Sequence, residues 1–165
     1  MQRLADTAVW QDNEVRIDVA KSDLALRRGE VIIDTLSSVE DSKGASGVRG
    51  DLSVTNLRLI WVSHRTSRVN ISVGINCISP GRGLALRSAT SKTRGNLQCL
   101  YVAADFQGVK FEFIFTSLVR ASPRLFTTVM NVQKCVGVMR GALACAPAFI
   151  MRPHPPSPAL FLQIV

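Results

Sequence analysis

Between residues 109 and 115 the chain sets Val109, Phe111, Phe113 and Phe115 at every second position, with Lys110, Glu112 and Ile114 between them. A period of two belongs to a strand with one buried face and one solvated face, and strands of that kind pair antiparallel. The period recurs along the chain. Val15, Ile17 and Val19 alternate with Glu14, Arg16 and Asp18, and Val69, Ile71 and Val73 with Arg68, Asn70 and Ser72. Glu30 to Leu36 and Leu97 to Ala104 read as further strands. Asp51 to Ser63 reads as two strands joined at Thr55-Asn56, because Asn tolerates the left-handed turn conformation. The breaks fall between these runs: a loop from Ser42 to Gly50 holding three glycines, a polar turn at His64–Ser67, the stop Ser79-Pro80-Gly81-Arg82-Gly83, and a hairpin turn at Asp105–Gly108.

One helix follows. Ser122 is a suitable N-cap and Pro123 suits the first helical position. Leu125, Phe126, Val129, Met130, Val132 and Gln133 then recur at helical spacing. The expected architecture is about seven antiparallel strands and one C-terminal helix, a curled sheet with the helix as a lid on its open end. The character changes after Cys135. Val136 to Val165 has no acidic residue and five of the seven prolines. Arg152-Pro153-His154-Pro155-Pro156-Ser157-Pro158 suits neither a helix nor a sheet interior. The expected division is one domain over residues 1–135 and a Pro-rich, poorly ordered tail over 136–165.

Charge is divided unevenly. The net charge is +8, but residues 1–41 carry five basic and nine acidic residues, and residues 42–165 carry fifteen basic and three acidic ones. A basic C-terminal portion points to an anionic partner: nucleic acid, a lipid headgroup or an acidic protein face. The four cysteines, Cys77, Cys99, Cys135 and Cys145, form no C-x-x-C pair, and the chain has two histidines, so neither a metal site nor a cofactor is expected. No secretory leader and no apolar run of membrane-spanning length is visible, which suggests a soluble, intracellular chain. Catalysis is not expected either. Glu40 and Asp41 diverge as neighbours on a chain, His64 has no fixed acid beside it, and Gly81-Arg82-Gly83 lacks the rest of a phosphate-binding fingerprint. An RNA-binding reading of the aromatic strand is weakened by Glu112 in its middle, by the missing Lys-Gly-Phe-Gly run and by the single helix.

Several motifs narrow the class. Gly29-Glu30-Val31, followed by Gly50-Asp51-Leu52-Ser53-Val54-Thr55-Asn56-Leu57-Arg58-Leu59-Ile60-Trp61 and Asn70-Ile71-Ser72-Val73-Gly74, resembles the signature of GRAM-type, pleckstrin-homology (PH)-like domains. Val39-Glu40-Asp41-Ser42-Lys43-Gly44, Ser67-Arg68-Val69-Asn70, Ser91-Lys92-Thr93-Arg94-Gly95, Phe111-Glu112-Phe113-Ile114-Phe115-Thr116 and Ser122-Pro123-Arg124-Leu125 are similar, in order, to the Bardet–Biedl syndrome protein five family. The resemblance runs from about Trp10 to Lys134. Relatives carry two PH-like domains and an acidic C-terminal end. Here the likeness covers the first domain alone, so a shortened product is expected, and Ser79–Gly83 inserts residues where the family runs on.

The resemblance implies a half-open PH-like barrel capped by the helix. It implies a non-catalytic subunit of the BBSome, the ciliary cargo coat, that binds phosphoinositide membranes, phosphatidylinositol 3-phosphate in particular, and other coat subunits. The implied locations are the cytoplasm, ciliary membrane and basal body, with roles in membrane-protein transport and ciliogenesis. A PH-like domain with protein contacts only is the alternative. The implied headgroup residues are Lys43 and Arg49 around the glycine-rich loop, Arg65 and Arg68 around the next polar turn, Lys92 and Arg94 before Leu97, and Arg58 in the signature itself. Arg87 is expected in that last loop, and Arg58 also fits a structural pairing with Asp51 or Glu30.

Overall fold

The computed structural model describes residues 11–44, 47–91, 95–119 and 126–135. The strands are β1 (Val15–Ile17), β2 (Ile32–Asp41), β3 (Arg49–Thr55), β4 (Arg58–Ser63), β5 (Asn70–Gly74), β6 (Leu84–Ser91), β7 (Gly95–Phe106) and β8 (Val109–Ser117). They form one antiparallel sheet in the order β1-β5-β4-β3-β2-β8-β7-β6. The sheet curls until its halves meet: Ile78, just past β5, bridges to Ala104 of β7, and the Ser79 N–H donates to the Ala103 carbonyl at 3.0 Å. A helix over residues 126–135, α1, packs on the curled sheet. The mainly β, PH-like barrel, with a helix following its last described strand, is thus present.

β2 makes the corner. Its register shifts between Ile32 and Asp34 and again between Leu36 and Val39, each time by one extra residue on β2. Ser38, with φ of 60°, sits in the second bulge. A bulge bends its strand and raises the local twist. β2 therefore follows β3 along most of its length and also pairs with β8 from Val39 to Asp41.

The core lies inside the curl. Leu52, Trp61, Leu100, Val102 and Phe115 are fully buried. The Trp61 Nε1–H donates to the Val39 carbonyl at 3.0 Å, tying β4 to the corner. Position 50 must be glycine for this packing, since a Cβ there would lie 2.6 Å from the Trp61 ring. Phe126 and Val129 of α1 are buried in the same cluster, with Met130 and Val132 packed against it. That matches the stripe read from the sequence. Ser122–Leu125, and with them the expected cap, lie outside the described residues, as does 136–165.

Three expectations change. β6 is a strand where the sequence suggested a loop, so the described residues hold eight strands in place of about seven, and Arg87 lies within β6. β6 is an edge strand whose ladder runs along β7 alone, from Leu84↔Val102 to Ser91↔Gly95. Leu84 is buried but Leu86 is 47% exposed, so no buried face writes a period into its sequence. Asn56 is absent from the residues with positive φ. Its side chain acts instead, accepting from the Val31 N–H at 2.9 Å and donating to the Gly29 carbonyl at 3.0 Å. The left-handed residues of a hairpin are Gln107 (φ 53°) and Gly108 (φ 77°), the pattern of a type I′ turn.

Candidate functional site

The end of the barrel from which β2 exits is open. Loop 42–48 leaves β2 there, loop 64–69 joins β4 to β5, and the Gln107-Gly108 turn joins β7 to β8. Between them lies a cleft of about 510 Å³ lined by Ile17, Asp18, Asp41, Lys43, Gly44, Val69, Lys110, Phe111 and Glu112, among others.

Local chemistry holds each loop in place. Asp41 Oδ1 accepts from the N–H groups of Lys43 (3.3 Å) and Gly44 (3.2 Å), an Asx-type turn that starts loop 42–48. Glu40 Oε1 accepts from the Gly47 N–H at 3.2 Å, which draws the loop back over β2. In loop 64–69, Ser63 Oγ accepts from the Arg65 N–H and Thr66 Oγ1 from the Arg68 N–H. Fully buried Asn70 closes that loop. Its side chain donates to the Ser67 carbonyl at 2.7 Å and the Val19 carbonyl at 2.9 Å. Arg49, Arg65, Arg68 and Lys110 are exposed, and among the described residues none of them has an ion-pair partner.

Lys43 differs. Its Nζ lies 2.6 Å from Glu112 Oε2, and Glu112 Oε1 accepts from the Tyr101 hydroxyl at 2.7 Å. Hydrogen bonds from Lys43 and then Tyr101 hold the Glu112 carboxyl below its ordinary range. The same bond to Glu112 pushes the Tyr101 phenol up.

Arg58 is removed from the headgroup set. Its side chain is 0% exposed, and Nε donates to Glu30 Oε1 at 2.9 Å. The remaining nitrogens bind Glu30 Oε2 (3.1 Å), Ser72 Oγ (3.4 Å) and the carbonyls of Asp23 (3.2 Å), Leu24 (3.4 Å) and Ala25 (2.8 Å). No donor is left for a ligand. Of the two structural partners considered, Glu30 is the right one; Asp51 instead lies 2.8 Å from His64 Nε2. Burial would raise the Glu30 carboxyl, but the bonds from Arg58, the Arg27 N–H and Thr55, with the Arg58 charge, bring it below its ordinary value.

Of the other expected residues, Lys43, Arg49, Arg65 and Arg68 belong to the strand ends and loops at the open end. Lys92 and Arg94 lie outside the described residues. The strand ends that flank them, Ser91 and Gly95, pair with each other at the far end of β7 from the Gln107-Gly108 turn. The twelve residues of β7 separate the two ends, about 35 Å along the strand. Sequence reasoning missed Lys110. The signal was available, because a two-residue turn at Gln107-Gly108 puts the second residue of β8 at the barrel mouth. Phe113 and Phe115 face the core, so the aromatic strand offers no stacking platform for bases. Among the described residues no group of His, Cys, Asp and Glu could hold a metal ion, and no helix is long and apolar enough to cross a membrane.

An antiparallel barrel of this strand order, with a C-terminal helix on its core and basic loops at its open end, is a PH-like domain. Residues 30–136 match the family model of the Bardet-Biedl syndrome 5 protein N-terminal PH-like domain, and the chain belongs to that family. It is 50% identical over 127 residues to the BBSome complex member BBS5 of Homo sapiens, covering 77% of this chain and 36% of that protein. The Xenopus laevis relative is 49% identical over 127 residues, covering 77% of this chain and 34% of the relative. The BBSome complex member bbs-5 of Caenorhabditis elegans is 38% identical over 138 residues, covering 81% and 38%. The chain thus spans little more than a third of the length of these relatives. Among solved structures, the N-terminal PH domain of Vps36 is similar with a TM-score of 0.47 and 16% identity, over 69% of this chain and 86% of that one.

Proposed function

We propose that this chain is a non-catalytic membrane- and protein-binding domain that works within the BBSome at the cilium. In this reading the open end of the barrel takes the phosphate of a phosphoinositide headgroup, phosphatidylinositol 3-phosphate as the family resemblance implies. Other faces contact neighbouring coat subunits. The observation that carries the reading is the set of exposed cations at that end, Arg49, Arg65, Arg68 and Lys110, without carboxylate partners among the described residues. Arginine grips phosphate bidentately through its planar fork. The acidic residues Asp18 and Glu112 in the lining of the cleft favour the second reading, a site for a cationic partner segment.

Co-sedimentation with phosphatidylcholine vesicles, with and without phosphatidylinositol 3-phosphate, separates the two. A basic residue contributes about 1 kcal/mol of attraction to an anionic surface. The triple variant Arg65→Ala, Arg68→Ala, Lys110→Ala is therefore expected to bind on the order of 100-fold more weakly while keeping its thermal midpoint. Unchanged binding by the folded variant removes these residues as the site. Failure of the wild type to bind any vesicle favours the protein-contact reading.

A further inference from the structure

Lys43 stands at the cleft with its ammonium already taken. Its partner Glu112 is held from two directions, by Lys43 Nζ at 2.6 Å and by the Tyr101 hydroxyl at 2.7 Å. The sheet dictates this arrangement. Tyr101 is paired with Ile114 and Glu112 with Ala103, so Tyr101 and Glu112 are diagonal neighbours on one face of the β7–β8 ladder. On the other side of Tyr101, the Arg87 guanidinium lies 3.7 Å over the phenol ring and restrains it. Glu112 therefore cannot turn away from the cleft without breaking its bond from Tyr101.

We propose that Glu112 is a resident competitor for the anion site: its carboxylate occupies Lys43 in the free protein, and a phosphomonoester must displace it to gain that lysine. The proposal rests on the headgroup reading above and adds a rule of selection to it. A phosphomonoester carries about −1.5 to −2 charges at neutral pH, so it outcompetes a single carboxylate. A phosphodiester or a carboxylate on a lipid surface carries one charge and gains nothing by the exchange. Glu112 thus filters out ordinary anionic membrane, and Lys43 joins the site when a phosphomonoester enters.

The test is Glu112→Gln, alone and together with Lys43→Ala, in the full chain. Gln keeps the size of Glu at an exposed position and removes its charge. Binding is measured to vesicles containing phosphatidylinositol 3-phosphate, to vesicles containing phosphatidylserine at matched surface charge, and to soluble inositol 1,3-bisphosphate. Exposed ion pairs are weak, so Glu112→Gln is expected to tighten binding to the phosphoinositide vesicles by about two- to fivefold. The gain on phosphatidylserine is expected to be at least as large, so selectivity falls. Neither gain should appear when Lys43 is already Ala. A matching gain on the soluble headgroup assigns the competition to the phosphate itself, and a gain on vesicles alone overturns the proposal, because the competition is then with the lipid surface.

An equal gain in the Lys43→Ala background means a general charge effect and overturns the proposal. No gain from Glu112→Gln, with binding still lost in the Arg65, Arg68 and Lys110 triple variant, overturns the proposal and leaves the headgroup reading standing. No binding by any form overturns both.

Discussion

At position 58 every guanidinium nitrogen of a fully buried arginine is bonded inside the fold. The Arg58–Glu30 pair clasps the short 3-10 turn Lys21–Leu24 to the barrel, because the carbonyls of Asp23, Leu24 and Ala25 are among its acceptors. Removing one member of a buried pair leaves the other charge uncompensated, so Arg58→Ala is expected to cost about 3–5 kcal/mol in urea unfolding. The pH dependence has a definite sign. The folded-state value of Glu30 is depressed. Its contribution is therefore complete above the ordinary value of 4.5 and is lost as pH falls through the lowered value. Between pH 7 and about pH 3 the wild type should lose more stability than Glu30→Gln, which has no such proton to take up. Equal losses in urea midpoint would remove Glu30 as an acid-sensitive group. The sequence exposed this arginine as a member of a signature and offered two acids for it. Register makes the choice: Asp51 pairs with Val62, four residues along β4 from Arg58. Pairing register is a long-range property that no local pattern states. Lys43 shows the same limit, since its partner Glu112 is 69 residues away.

Elements with a buried face were legible, and an element held by its ladder alone was not. β8 shows the first case: Phe113 and Phe115 are buried, and Phe111 packs against the core. Helix α1 shows it too, since the stripe led by Phe126 and Val129 is the face that packs. β6 shows the second, because its backbone bonds to β7 make it a strand while Leu86 stays in solvent. The β2 bulges were equally hidden, yet they set where the barrel turns and so where loop 42–48 ends up. A helix in a folded protein draws most of its stability from packing an apolar face rather than from its own propensity, and α1 packs through Phe126 and Val129. Phe126→Ala is expected to cost about 3–5 kcal/mol, while Lys134→Ala on the exposed side stays within about 0.5 kcal/mol. Thermal or urea midpoints check both. If Phe126→Ala is as mild as Lys134→Ala, the helix does not contribute to the core.

Over the whole molecule, the uneven charge becomes a more basic surface than the sequence alone conveys. Asp12, Glu30, Glu40 and Asp41, four of the nine acids in residues 1–41, are buried, while Arg49, Arg65, Arg68 and Lys110 at the open end are exposed. Binding to anionic vesicles should therefore weaken steeply between 0.1 and 1 M salt, as the screening length shrinks from about 10 Å to about 3 Å; salt-independent sedimentation would argue for an apolar contact. The described barrel and α1 already bury Trp61, Leu100 and Phe115 to within 1% of full burial, so its central core needs no covering from residues 136–165. Residues 1–135 are thus expected to fold alone with the same urea midpoint and the same m-value as the full chain. The surface near the start of β2 is nonetheless apolar. Leu26, Val31, Ile32 and Ile33 are 47–57% exposed, and the tail carries apolar side chains from Ala159 to Val165. If those two apolar segments meet, truncation uncovers about one large side chain's worth of surface. The cost is then about 2 kcal/mol, seen as a lower midpoint and a smaller m-value. Equal midpoints place the whole of the stability in the barrel and its helix.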